Sequence, residues 1–128
     1  MVITQSPQRN LDRIYASHPD HLAVGEAALC AVYPDARNPF AFPELFGEEL
    51  EPWVVDEVWI AGGGDATNPV DVTAAVDRKI AALMSHVSQH VDPEGIETMV
   101  REWMISNAKK FGLPDGASAE AFRIVDTR

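Results

Sequence analysis

Residues 13–25 read Arg13-Ile14-Tyr15-Ala16-Ser17-His18-Pro19-Asp20-His21-Leu22-Ala23-Val24-Gly25. Two imidazoles and a carboxylate fall between His18 and His21, where a helix is expected to begin. Pro19 fits the first helical turn, because its missing N–H is one of the donors a helix leaves unpaired there. A Ser17-x-x-Asp20 capping box accounts for the same residues without any chemistry. Imidazole is also a common zinc ligand, and a neighbouring carboxylate can fix its tautomer. The pentad therefore suits capping, one metal ligand and one proton-transfer group, and these readings do not exclude each other.

Working outward, residues 19–33 read as a helix with Leu22, Ala23, Ala27, Leu29 and Val32. Before it, residues 2–5 read as a short strand, and residues 6–17 as a polar loop. After it, residues 34–53 contain Pro34, Pro39, Pro43 and Pro52, which forbid a long helix. Phe40, Phe42, Leu45 and Phe46 make this stretch too apolar for a linker, so a packed surface loop is expected. Val54–Ile60 reads as a strand ended by Gly62-Gly63-Gly64, and Val70–Val72 as a second extended piece. A long helix is expected from Thr73 to His90, with Val72, Val76, Ile80, Leu83, Val87 and Val91 on one face. Asp92-Pro93 should stop it and open another, with Ile96, Met99, Val100, Trp103 and Phe111 buried and Gly112 at its end. A last strand is placed at Ala121–Val125. Strands alternating with helices imply an α/β layered fold.

The chain has 128 residues, 46% of them hydrophobic, enough for a core without disulfide or metal staples. Twenty acids against ten Lys and Arg give a net charge of −10, which argues against nucleic acid and against anionic membrane surfaces. Glu48, Glu49 and Glu51 form the densest acidic run and read as solvated surface. No apolar run approaches a membrane span, and Met1-Val2-Ile3-Thr4 is no secretory signal. The single cysteine, Cys30, excludes an internal disulfide and fits a cytoplasmic location. In mid-helix it is expected to be a buried, inert thiol. Trp53, Trp59 and Trp103 are expected to pack in the core or at its rim.

His86 and His90 have the i, i+4 spacing of a zinc helix. Val87 stands where such a motif carries its glutamate base, so that reading fails. His90 is expected to be an exposed helix-end histidine. Gly62-Gly63-Gly64-Asp65 lacks the Lys-Ser/Thr of a phosphate loop and reads as a turn.

Residues 13–25 resemble the second metal motif of the LmbE-like, or PIG-L, zinc deacetylases. That family includes the GlcNAc-phosphatidylinositol de-N-acetylases and the deacetylases of mycothiol and bacillithiol synthesis. Ala36-Arg37-Asn38-Pro39-Phe40 and Phe42-Pro43-Glu44-Leu45 are similar to its post-helix segment. Glu57-Val58-Trp59-Ile60 is similar to its next strand, and Val70-Asp71-Val72-Thr73 to its lead into the long helix. Lys79-Ile80-Ala81-Ala82-Leu83 and His86-x-Ser88-Gln89 are similar to that helix. The resemblance implies a Rossmann-like α/β fold and places residues 1–128 in the family's C-terminal half.

It further implies zinc-dependent removal of an N-acetyl group from an amino sugar or related N-acetylated small molecule. Zinc lowers the pKa of its water and polarises the carbonyl, and imidazolium can protonate the leaving nitrogen. His21 would be the metal ligand, His18 the acid, and Asp20 the residue that orients it. Arg13, Tyr15 and His86 would line the substrate pocket.

The family's first motif, A-H-P-D-D or P-H-P-D-D, is not in this sequence. It would supply a His and an Asp ligand and the aspartate base, and Asp12 is the only acid in the loop before His18. The N-terminal half is thus expected to be missing, with zinc weak or absent in this chain alone and hydrolysis negligible. Three further expectations follow. A separate N-terminal portion could complete the site; the exposed sheet edge could drive homo-oligomer formation; or the chain is a non-catalytic interaction module that binds no metal. An unrelated α/β binding domain whose capped helix imitates the motif is the remaining reading.

Overall fold

The computed structural model describes residues 1–48 and 50–128; Glu49, the side chains of Ala16 and Phe46, and the surroundings of Gly47 lie outside the described residues. The acidic run and the apolar loop are therefore described without Glu49 and the Phe46 side chain. The protein is mixed α/β, with strands in the order β1-β2-β4-β3. They are β1 (Val2–Gln5), β2 (Glu57–Ala61), β3 (Asn68–Asp71) and β4 (Ala119–Asp126), and the helices are α1 (Pro19–Val32), α2 (Val76–Met84) and α3 (Pro93–Lys110). The chain divides into two compact units, residues 1–68 with 122–128, and residues 69–121.

In the first unit β1 runs parallel to β2, Val2 opposite Val58 and Gln5 opposite Ala61. β2 runs antiparallel to β4, Val58 opposite Val125 and Ala61 opposite Phe122. Alternation along β2 buries Val58 and Ile60, while Trp59 lies on the other face, tilted against Phe122 at 5.4 Å. The Trp59 indole N–H donates to Glu57 Oε2 at 2.9 Å. Val32, Val55, Val58 and Ile60 form the core, with Val2, Leu29 and Val125 against it. Each such side chain contributes roughly 1.5–3 kcal/mol on burial.

Helix α1 meets the sheet through Gly25, Leu29 and Val32, which helical spacing places on one face. A Cβ at Gly25 would lie 2.5 Å from Gln5 O, 2.7 Å from Pro7 N and 2.9 Å from Ser6 C. Only glycine lets the helix lie this close to the end of β1. The proline-rich stretch folds into short 3-10 turns at Asp35–Arg37 and Pro43–Glu48, as its composition predicts. Its large apolar groups are not packed away, however. Phe40 is 83% and Trp53 69% exposed, and Phe42, Leu45, Leu50 and Trp53 border an open groove of about 330 Å³.

In the second unit the long helix expected from Thr73 to His90 is broken. A 3-10 turn at Thr73–Ala75 leads into α2, which ends at Met84, and a second turn covers Val87–Gln89. Val87 is 79% exposed and Val91 fully exposed, so the apolar spacing misleads beyond Met84. Ser85 and His86 close the helix through their N–H groups, and the Ser85 hydroxyl donates to Ala82 O at 2.7 Å. Helix α3 opens as expected: Asp92 accepts from Gly95 N at 3.1 Å, with Pro93 in the first turn. Gly112, at φ +72°, ends it. Its buried face is Met104 and Ala108 with Val100 alongside, whereas Met99 and Trp103 are exposed. Met104 packs on Val76 and Ile80, and Ala108 packs on Ala117 and Ala119.

Candidate functional site

The end of the parallel pair β1 and β2 is where an α/β sheet of this kind presents its loops to a ligand. Residues 6–17 leave β1 there and deliver the chain to the start of α1. Asn10 organises this loop. Its Oδ1 accepts from the N–H groups of Asp12 and Arg13, both at 3.1 Å, and its own N–H donates to Ser17 Oγ at 2.7 Å. Ser17 is buried and so spent on the loop. The N-cap of α1 is therefore His18 and not Ser17, a correction to the expected capping box. The Asn-x-Asp spacing of an Asx turn was the available signal for this role of Asn10.

His18 has two partners for one nitrogen. Its Nδ1 accepts from the Asp20 N–H at 3.3 Å, and it also lies 3.4 Å from Asp20 Oδ2. The first contact suits the neutral ring with its proton on Nε2; the second suits a ring protonated on Nδ1. One residue thus supports both tautomers. The His21 ring stands edge-on to His18 with centroids 6.0 Å apart, and both histidines and Asp20 are exposed.

The structure thus brings His18, Asp20 and His21 together on the first turn of α1. Arg13 and Tyr15 belong to the turn just before, and Tyr15 is 94% exposed. His86 belongs to the second unit, at the loop after α2 rather than on a helix. His90 is half-buried, not an exposed helix end. Its Nε2 bonds Leu83 O at 2.8 Å, while its Nδ1 is buried without a partner. Cys30 is exposed rather than buried, 3.8 Å from Glu26 Oε1. Desolvation, then the Glu26 carboxylate, pushes its thiol above the ordinary value, which keeps it protonated and unreactive.

A catalytic zinc site takes three protein ligands and an open position. Among the described residues no group of three His, Cys, Asp or Glu side chains could hold a metal ion. The donors of the pentad do not fit the ion by themselves, since Nδ1 of His18 is engaged by Asp20, which leaves His21 as the one ring without such a contact among the pentad's described residues. No helix among the described residues is long and apolar enough to cross a membrane.

Among solved structures, N,N'-diacetylchitobiose deacetylase from Pyrococcus horikoshii, complexed with its inhibitor MPG, matches with a TM-score of 0.81 at 24% identity. This chain shares that deacetylase's fold. The match covers 98% of this chain but 45% of the deacetylase, so the chain spans less than half of the structure it resembles. No family model matches the chain, and no curated protein matches it.

Proposed function

We propose that this chain carries one part of the active site of a zinc-dependent N-deacetylase acting on an amino-sugar-type substrate. The observation that carries the reading is the His18–Asp20–His21 turn, set on a fold shared with a diacetylchitobiose deacetylase. His18 is the acid for the leaving amine. Protonated on both nitrogens, with Nδ1–H toward the Asp20 carboxylate 3.4 Å away, it gives its Nε2 proton to the leaving nitrogen and is left as the neutral Nδ1–H imidazole. Asp20 orients the ring and stabilises its charged form. His21 is the imidazole this chain contributes to the metal, and Arg13 and Tyr15 contact substrate. The remaining ligands and the base come from residues this sequence does not hold, which makes residues 1–128 the C-terminal portion of a Rossmann-like deacetylase domain.

The test joins this chain to the portion of the Pyrococcus horikoshii deacetylase that it does not cover. Acetate release from N,N'-diacetylchitobiose and zinc content are then measured. The joined protein should hydrolyse the amide with zinc bound. His18→Ala should keep the metal and lose turnover by roughly 10²–10⁴-fold, the range of acid–base catalysis. His21→Ala should lose the metal. Equal turnover with and without His18, or equal metal loss in both variants, refutes the assignment.

A further inference from the structure

We propose that the open groove at the C-terminal end of α1 docks a short basic, apolar segment of a partner protein. The groove measures about 330 Å³, with Phe42, Leu45, Leu50 and Trp53 as its apolar wall and Asp35 and Glu51 as its charged residues. It lies away from the histidine turn. Helix α1 starts beyond the carboxyl end of β1 and carries the chain back toward the start of β2, the strand parallel to it. Ala31, which also lines the groove, stands about 18 Å along the helix from Pro19. Docking here is therefore independent of any chemistry at His18 and His21.

Backbone bonds hold the groove in shape. Trp53 N–H donates to Ala36 O at 2.7 Å, which ties the two ends of the proline-rich loop together, and Leu50 N–H donates to Leu45 O at 3.3 Å. The large side chains are nevertheless left in water: Phe42 is 48%, Leu50 52% and Trp53 69% exposed. Apolar surface gathered in this way marks an interaction site. Charge then selects the occupant. Between Tyr33 and Trp53 the sequence carries Asp35, Glu44, Glu48, Glu49 and Glu51 against Arg37 alone. No Lys, Arg or His is among the described lining residues, and Asp35 and Glu51 form no ion pair among the described residues. The carbonyl end of α1 adds the negative pole of the helix dipole beside Ala31. A segment that sets Lys or Arg next to an apolar side chain complements both features. A second copy of the chain does not, because each copy carries a net charge of −10. A free organic cation would stay largely wet in so open a groove, whereas small-molecule sites bury roughly 70–90% of their ligand's surface.

The ¹⁵N-labelled 128-residue chain is titrated with three acetylated and amidated peptides, Lys-Leu-Phe-Leu-Arg, Glu-Leu-Phe-Leu-Glu and Lys-Ser-Gly-Ser-Arg. Saturable amide shifts are expected within 31–53 with the first peptide and not with the other two at the same concentration. The affinity should fall as salt rises from about 0.05 to about 0.5 M. Glu51→Lys and Trp53→Ala, both at exposed positions, should each weaken binding roughly tenfold or more while the urea midpoint stays that of the unaltered chain. Absent shifts, shifts confined to other residues, equal binding by the acidic or the serine-glycine peptide, or unaltered affinity in both variants overturns the proposal. Two further results overturn it by naming another occupant. Phenethylammonium that saturates the same amides as tightly as the first peptide assigns the groove to a small cation. A dimer in sedimentation that Trp53→Ala dissociates assigns it to a second copy.

Discussion

Gly25 lies in the interior of α1, where helix propensity says that alanine is better than glycine by about 1 kcal/mol. The structure reverses the sign. An alanine Cβ would sit 2.5, 2.7 and 2.9 Å from Gln5 O, Pro7 N and Ser6 C, all of them backbone atoms that no rotamer change can move aside. Bringing the closest contact out to ordinary separation needs a shift of about 1 Å in either the helix or the end of β1. Overpacking of this kind costs about 1–3 kcal/mol, and unyielding backbone puts it at the upper end. Subtracting the propensity gain leaves Gly25→Ala destabilising by about 2 kcal/mol. The assay is urea denaturation followed at the amides of β1 and α1, so that it reads the first unit by itself. Ala27→Gly, on the exposed side of the same helix, is the comparison and should cost about 1 kcal/mol through propensity alone. Because Gly25 sets how α1 meets the loop that carries His18, the ring resonances of His18 and His21 should also shift in Gly25→Ala and stay put in Ala27→Gly. A midpoint equal to or above that of the unaltered protein would show that the close approach does not hold the helix, and the reasoning would be wrong.

Met104 is fully buried against Val76 and Ile80, so Met104→Ala should cost about 2–5 kcal/mol in the second unit, read from urea midpoints. Asp71 accepts from both the N–H and the hydroxyl of Thr73, which lowers its carboxyl, and Arg128 holds Asp126 down to about 2. Both carboxyls bind fewer protons folded than unfolded. Their stabilisation is complete above the ordinary carboxylate value of about 3.9 and is lost as pH falls through the folded values. Urea midpoints measured from about pH 6 to pH 2 should therefore fall in acid, and Asp71→Asn should flatten part of that fall; an unchanged slope in Asp71→Asn contradicts the assignment. The isolated chain, dialysed after loading with zinc, should retain well under one ion per chain by elemental analysis, since a lasting site needs about three protein ligands. Stoichiometric retention would mean that residues other than His21 complete a site within this chain.

Much of the fold was legible in local signals. Asp92-Pro93 and Gly112 bound α3 because caps and breakers act within a turn, whatever lies around them. The β-branched and aromatic run over 54–60 marked a strand, and the structure turns Val58 and Ile60 of β2 inward by strand alternation. Periodicity failed where it continued past a stop that has no breaker. Val87 and Val91 keep helical spacing after Val76, Ile80 and Leu83, yet α2 ends at Met84. Nothing between Ser85 and Gln89 forbids a helix. The chain turns because Ser85 and His86 close the helix and His90 bonds back to Leu83 O, and such tertiary choices leave no periodic trace. The same limit applies to α3. Met99 and Trp103 are bulky too, but the helix turns Met104 inward onto Val76 and Ile80, and Ala108 onto Ala117 and Ala119, where close packing needs a small side chain.

At the site, the pentad was legible as a pentad but not as an arrangement. The residue types fit a Ser17 cap; the structure assigns the cap to His18, because Asn10 takes the Ser17 hydroxyl across seven residues of loop. That exchange matters chemically. A histidine at the N-cap has its Nδ1 directed to the Asp20 N–H and carboxylate, which leaves Nε2 as the nitrogen free to exchange a proton. Asn10 then acts on His18 without touching it. Asn10→Ala removes the Oδ1 acceptor that holds the Asp12 and Arg13 N–H groups, which loosens the loop carrying the Asn10 N–H to Ser17 and should displace the His18 ring, whereas Asn10→Asp, which keeps an Oδ acceptor for both N–H groups, should preserve the turn. The ¹⁵N shifts of the His18 ring report this directly, since they separate the Nδ1–H and Nε2–H tautomers. Asn10→Ala should move the His18 ring shifts while costing about 1–3 kcal/mol by urea unfolding, the cost of two loop hydrogen bonds at about 0.5–1.5 kcal/mol each. If the His18 ring shifts are the same in Asn10→Ala as in the unaltered chain, the loop does not position the histidine, and the cap must be held by α1 alone.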